Sequence, residues 1–265
     1  MMALALTLPL LFASAEVPRL ADAGQQLAYA RGKKQDLRGL EGAAKERARD
    51  AAVEAYRAVR EHHPRARAAV AEAAFRAGEL LRAAARLEEA RLEFRVAAHE
   101  GAGSGFRVRA RLELGHLARR AGFPEEALTE YLAALADAEA CGHERDEALF
   151  WTGRVHAEEG RAEDARRAWR RVAEEALDPV QRVRAFDELG LLWLQQGDAE
   201  AATGEWNRCC AALADDANEE TETGARVRSA LEGMRTLRIL RETARRRAQP
   251  PPGLPKKTGA APRDA

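Results

Sequence analysis

Residues 112–134 read LELGHLARRAGFPEEALTEYLAA, and this stretch decides the fold. An apolar-patterned segment runs through Leu114-Gly115 and halts at Gly122, a residue that readily takes the left-handed conformation ending a helix. The chain then restarts at Phe123-Pro124-Glu125-Glu126, with proline and acidic side chains where the first turn of a helix and its dipole favour them. The pattern predicts two consecutive helices joined by a tight turn.

The same rhythm recurs along the chain. Gly78, Gly115, Gly153 and Gly190 are separated by 37, 38 and 37 residues. Twelve residues after each stands Ala90, Ala127, Ala165 or Ala202, and sixteen after it Phe94, Tyr131, Trp169 or Trp206. Nineteen after it stands Ala97, Ala134, Val172 or Cys209. A second glycine follows the first by seven residues in three units, at Gly122, Gly160 and Gly197, with Ala85 in its place in the first unit. Small residues at the first glycine and the alanine allow two antiparallel helices to approach closely. The aromatic is expected to fill the space between one helix pair and the next.

Leu114-Gly115 … Ala127 … Tyr131 and Leu189-Gly190 … Ala202 … Trp206 resemble the tetratricopeptide repeat family, over residues 70–212. The resemblance implies an all-α fold: a right-handed solenoid of antiparallel helix pairs with a C-terminal capping helix. Two features depart from the family. The period exceeds the roughly 34 residues usual there, and the tryptophan expected four residues before the glycine is replaced by Ala74, Arg111, Leu149 and Phe186. Ala52, Tyr56 and Pro64 reproduce part of the pattern upstream and predict a degenerate unit beginning near residue 36.

The expected organisation is an N-terminal helical region with that degenerate unit over 16–65, four helix pairs over 66–214, and a cap over 215–248. Val227, Ala230, Leu231, Met234, Leu237 and Leu240 form the cap's apolar stripe. Residues 249–265 hold five prolines and are expected to be a disordered tail. Gly101–Gly105 is expected to be a flexible joint where the first pairs pivot against the rest. Residues 1–15 pair an apolar run, Ala3 to Ala13, with a small-x-small site at Ala13-Ser14-Ala15. They predict an export signal cleaved after Ala15, although no basic residue precedes the run; the other reading is a buried helix segment in a cytoplasmic protein.

Composition narrows the function. The 43 basic residues balance 43 acidic ones, so no global field recruits nucleic acid or an anionic membrane. Cys141, Cys209 and Cys210 make no C-x-x-C pair and no disulfide framework, and a buried structural thiol is the expected state at the 209–210 pair. The histidines show neither HExxH nor paired ligand spacing, and no nucleophile elbow or P-loop occurs. No catalytic residue, metal site or cofactor is therefore predicted. The expected function is a non-catalytic scaffold for a peptide or protein partner.

The resemblance places partner contacts on the first helix of each pair, in the concave groove. By position these are Phe75, Glu79 and Arg82 in the first unit, and Leu112, His116, Arg119 and Arg120 in the second. The third gives Phe150, Trp151 and Arg154, and the fourth Asp187, Leu191 and Leu194. Apolar Phe75, Leu112 and Phe150 beside cationic Arg82, Arg119 and Arg154 suit an extended peptide with apolar anchors and a carboxylate. The family's carboxylate-clamp asparagine is absent, its positions being held by Arg76, Glu113, Trp151 and Glu188, so chaperone tails are not expected partners. The alternative function is membrane-surface or nucleic-acid attachment through the basic C-terminal helix, Arg226 to Arg247.

Overall fold

The structure is a computed structural model that describes residues 17–137 and 140–248. Residues 1–15, expected to be an export signal, residues 249–265, expected to be a disordered tail, and the side chains of Leu237, Leu240 and residues 241–248 fall outside the described residues. Among those described there are twelve helices and no strand. The chain divides into two compact units, the first ending at Arg161 and the second beginning at Ala162.

The first unit contains α1 (Ala23–Gln35), α2 (Gly42–His62), α3 (Arg67–Ala83), α4 (Leu87–Glu100), α5 (Phe106–Arg120), α6 (Pro124–Leu135) and α7 (Gly142–Glu158). Each helix packs on the next in sequence, and α1, α3, α5 and α7 also touch one another in turn, forming one layer. The second unit contains α8 (Ala162–Glu175), α9 (Pro179–Gln195), α10 (Ala199–Ala212), the short α11 (Ala214–Asn218) and α12 (Glu222–Ala248). There α9 packs against α8, α10 and α12, and Val227, Leu231 and Met234 of α12 are buried.

Steric fit explains the repeating glycines. A Cβ on Gly78 would lie 2.6 Å from the Phe94 ring, one on Gly115 2.5 Å from Tyr131, and one on Gly190 2.5 Å from Trp206. The aromatic thus packs against the glycine of its own helix pair, and Phe94 shares one core cluster with Ala110, Leu114 and Leu117 of the following pair. Each of these rings is buried. Gly122, Gly160 and Gly197 have φ of 80°, 73° and 87°, and Ala85 takes the equivalent conformation at φ 58°. In every unit the next residue donates its backbone N–H five residues back: Arg86 to Leu81, Phe123 to Ala118, Arg161 to His156 and Asp198 to Trp193. These bonds satisfy carbonyls left open at the helix end.

A second recurring feature lies one residue before the aromatic. Glu93, only 5% exposed, accepts from Arg57 at 2.7 Å and lies 3.4 Å from Arg60. Glu205, 1% exposed, accepts from Arg170 at 2.9 Å. Glu130 in the same register faces Arg91, Arg95 and Arg111, and its burial raises its carboxyl above the ordinary range. Arginines thus tie the second helix of one pair to that of the next. This gives the abundance of arginine over lysine a structural use, because a planar guanidinium holds a buried carboxylate better than an ammonium does.

Two expectations about the first unit are corrected. The degenerate repeat starts with α1 at Ala23 rather than near residue 36. Its first helix buries only Gln26, Leu27 and Ala30, which leaves no apolar stripe to read. Gln26 is buried because its side chain accepts from the Leu20 amide and donates to the Pro18 carbonyl, holding the preceding segment. The Gly101–Gly105 link lies inside the first unit: a Cβ at Gly101 would meet the Ala97 carbonyl at 2.5 Å, and α4 packs on α5. The division between the units falls after Arg161 instead.

Candidate functional site

A groove of about 380 Å³ opens across α3, α5 and α7 of the first unit. Its floor is one face of α5, where Arg109, Leu112, Glu113 and His116 follow the i, i+3, i+4, i+7 spacing that stacks side chains on a helix. Phe75 and Glu79 of α3 form one wall. Cys141, His143, Glu144 and Glu147, at and near the start of α7, form the other.

Four predicted contact residues, Phe75, Glu79, Leu112 and His116, come together in this groove. Phe75 also belongs to the core, its ring 5.6 Å from both Phe94 and Phe106. His116 is held from both sides, with Nδ1 2.7 Å from the Tyr131 hydroxyl and Nε2 3.5 Å from Glu147. That imidazole holds Glu147 below the ordinary carboxylate range.

The predicted cations stand differently from their expected roles. Arg82 pairs with Glu113 at 3.3 Å, and Arg119 with Glu158 at 2.9 Å while stacking over Trp151 at 4.8 Å. Arg154 shares Glu158 at 3.3 Å. Trp151 sits edge-on to His116, 5.0 Å away, and Phe150 is buried behind it. Arg120 ends α5 exposed and outside the lining. Asp187, Leu191 and Leu194 lie on α9 of the second unit, where Asp187 accepts from Trp206 Nε1 at 3.1 Å.

The remaining lining carboxylates are also engaged. Glu79 is 2.9 Å from Arg76 and 3.9 Å from Lys34, and Glu144 accepts the Cys141 backbone N–H at 3.0 Å. Burial raises the Glu113 carboxyl despite Arg82. Arg109 is different. Its guanidinium lies 4.6 Å from the Phe75 ring and 5.6 Å from Phe106, with no ion pair or hydrogen bond among the described residues. Arg109 is not among the contact positions that the family resemblance implies, although its place three residues before Leu112 and seven before His116 puts it on the same helix face.

Elsewhere, the described arginines of α12 are engaged within the second unit. Arg226 lies 3.6 Å from Asp178, and Arg228 donates to the Glu219 carbonyl at 3.0 Å. Arg235 reaches Cys210 Sγ at 3.6 Å, and Arg238 stacks 5.3 Å from the Trp206 ring. Cys209 is buried and its thiol is pushed up to about 12. Among the described residues, no group of three or more His, Cys, Asp or Glu could hold a metal ion. No described helix is long and apolar enough to cross a membrane.

No family model and no curated protein sequence matches the chain. Solved structures do resemble it. MamA from Desulfovibrio magneticus RS-1 superposes with a TM-score of 0.54 at 16% identity, covering 75% of this chain and 100% of that one. YrrB, a TPR protein with an unusual peptide-binding site, gives 0.51 at 21% identity over 73% of this chain and 88% of its own. The TPR-like repeats of a Podospora anserina kinesin light chain give 0.54 at 13% identity over 76% and 100%. The fold is therefore that of a tetratricopeptide-type array of helix pairs.

Proposed function

We propose that the chain is a non-catalytic protein-interaction scaffold that binds an extended segment of a partner protein in the groove across α3, α5 and α7. The observation that carries this reading is the α5 face, where Leu112 lies among Arg109, Glu113 and His116 at the floor of an open groove. A small apolar area ringed by oriented polar groups is what recognition of an extended segment requires. The likeness to YrrB, which has a peptide-binding site, supports the same reading. We further propose that residues 1–15 are removed on export; an intact mass of the protein from its native cell that includes residues 1–15 would refute this.

Cys141 offers the test, because it is exposed and lines the groove while Cys209 is buried. In a Cys210→Ser background, peptides are selected from a displayed random library on the full chain, and Cys141 is then capped with a bulky maleimide. The cap should abolish binding of the selected peptides while circular dichroism stays helical. Unchanged binding by the capped protein rules out the groove.

A further inference from the structure

We infer that Arg109 reads the partner, selecting a segment that carries an aspartate or glutamate side chain beside an apolar one. This rests on the groove being the docking surface. Charge bookkeeping around the groove singles the residue out. Arg76 and Lys34 are taken by Glu79, Arg82 by Glu113, and Arg119 and Arg154 by Glu158. The lining carboxylates in turn have their partners: Glu147 has His116, and Glu144 has the Cys141 amide. Arg109 is left with a half-buried positive charge that has no carboxylate against it among the described residues, beside the Phe75 and Phe106 rings that it shares with the Glu79-paired Arg76.

That stacking is what suits it to recognition. Phe75 and Phe106, with ring centroids 4.6 and 5.6 Å from the guanidinium carbon, limit its freedom without using its N–H groups, which are then available to a ligand. A carboxylate is the planar partner that a guanidinium fork binds with two parallel hydrogen bonds. Leu112, one turn further along α5, belongs to the core and is only 5% exposed, and that remaining surface at the groove is the neighbouring apolar contact. An internal acidic side chain fits better than a chain terminus. The carboxylates of Glu113, Glu144 and Glu147 are acceptors, suited to the N–H groups of a backbone that continues past Arg109, and they would repel a terminal carboxylate placed deeper in the groove.

The test uses the full chain and short C-terminally amidated peptides in a glycine-serine host, with a central leucine-glutamate, leucine-glutamine or leucine-lysine pair. Binding is read by fluorescence anisotropy for wild type and Arg109→Gln, with and without the maleimide cap on Cys141. The wild type should favour the glutamate peptide over its glutamine isostere by about tenfold or more, as a charge-assisted hydrogen bond does. Arg109→Gln should erase that preference, with unchanged circular dichroism and melting temperature. Equal binding of glutamate and glutamine peptides, blocked by the cap, overturns the role of Arg109 while the groove stands. A preference retained in Arg109→Gln overturns it as well. Tighter binding of the free-acid glutamine peptide than of the amidated glutamate peptide replaces the side chain with a terminal carboxylate and refutes the assignment. Binding of no peptide, or binding indifferent to the cap, removes the groove reading and this inference with it.

Discussion

Ala85 and Gly115 test, in opposite directions, how single residues set the repeat. Ala85 holds φ at 58°, where the later units use glycine, and its side chain gains nothing from the left-handed conformation. The strain of a left-handed alanine is about 1–2 kcal/mol and the extra unfolded-state freedom of glycine is worth roughly 0.5–1 kcal/mol, so Ala85→Gly should stabilise by about 0.5–1 kcal/mol in urea unfolding. Gly115→Ala should cost about 1–3 kcal/mol, since its Cβ would press on the buried Tyr131 ring. Cys209 adds a pH dependence. Burial is the main reason its thiol is pushed up to about 12, with Cys210 and Asp187 adding to it. A thiol in the unfolded chain ionises near about 8.5. The protonated native thiol therefore stabilises the fold fully below that pH, and the contribution fades as pH rises towards the native value. Melting temperature should fall between about pH 8 and 10, and Cys209→Ala should flatten the fall. An identical slope in the variant would assign it to other groups.

At the scale of helices, the joints between successive pairs combine apolar packing with buried carboxylates. Glu93 of α4 meets Arg57 and Arg60 of α2. Glu93→Ala should cost about 2–3 kcal/mol, less than the ~3–5 kcal/mol of a fully buried pair because Arg57 is partly exposed, and should speed amide exchange in α2 and α4. Replacing both Arg57 and Glu93 by methionine should recover most of the loss, since the buried carboxylate and its nearest guanidinium are then both gone, and Arg60, Glu54 and Glu89, which lose a partner, are 40–48% exposed and stay hydrated. A double variant as unstable as the single one would show that packing, not charge, is at stake. These joints were the part of the fold least legible in the sequence. Gly115 and Tyr131 could be read because a ring lying on a helix admits only glycine beneath it, and that constraint recurs at a fixed spacing. Glu93 and Glu205 could not, because in a chain this rich in arginine no local pattern says which guanidinium a carboxylate will meet. The groove was half legible for the same reason. Phe75, Leu112 and His116 follow from helix register, whereas the significance of Arg109 appears only once the other arginines have found their glutamates.

For the whole molecule, the division after Arg161 bears on how the repeats cooperate. In helical arrays, stability is a sum of the intrinsic stability of each repeat and the contacts between neighbours, so a weakened unit can unfold ahead of the rest. The tryptophans make this measurable, because Trp151 lies in the first unit and Trp169, Trp193 and Trp206 in the second. In a Trp151→Phe background, fluorescence reports the second unit, while far-ultraviolet circular dichroism reports the helices of both. Gly115→Ala weakens only the packing of α5 on α6, so it should bring forward part of the dichroism loss in urea and leave the fluorescence midpoint in place. Gly190→Ala, which presses on Trp206, should do the reverse. If instead either glycine variant moves both signals together, the two units unfold as one, and the first-unit groove draws its rigidity from the full array rather than from α1–α7 alone.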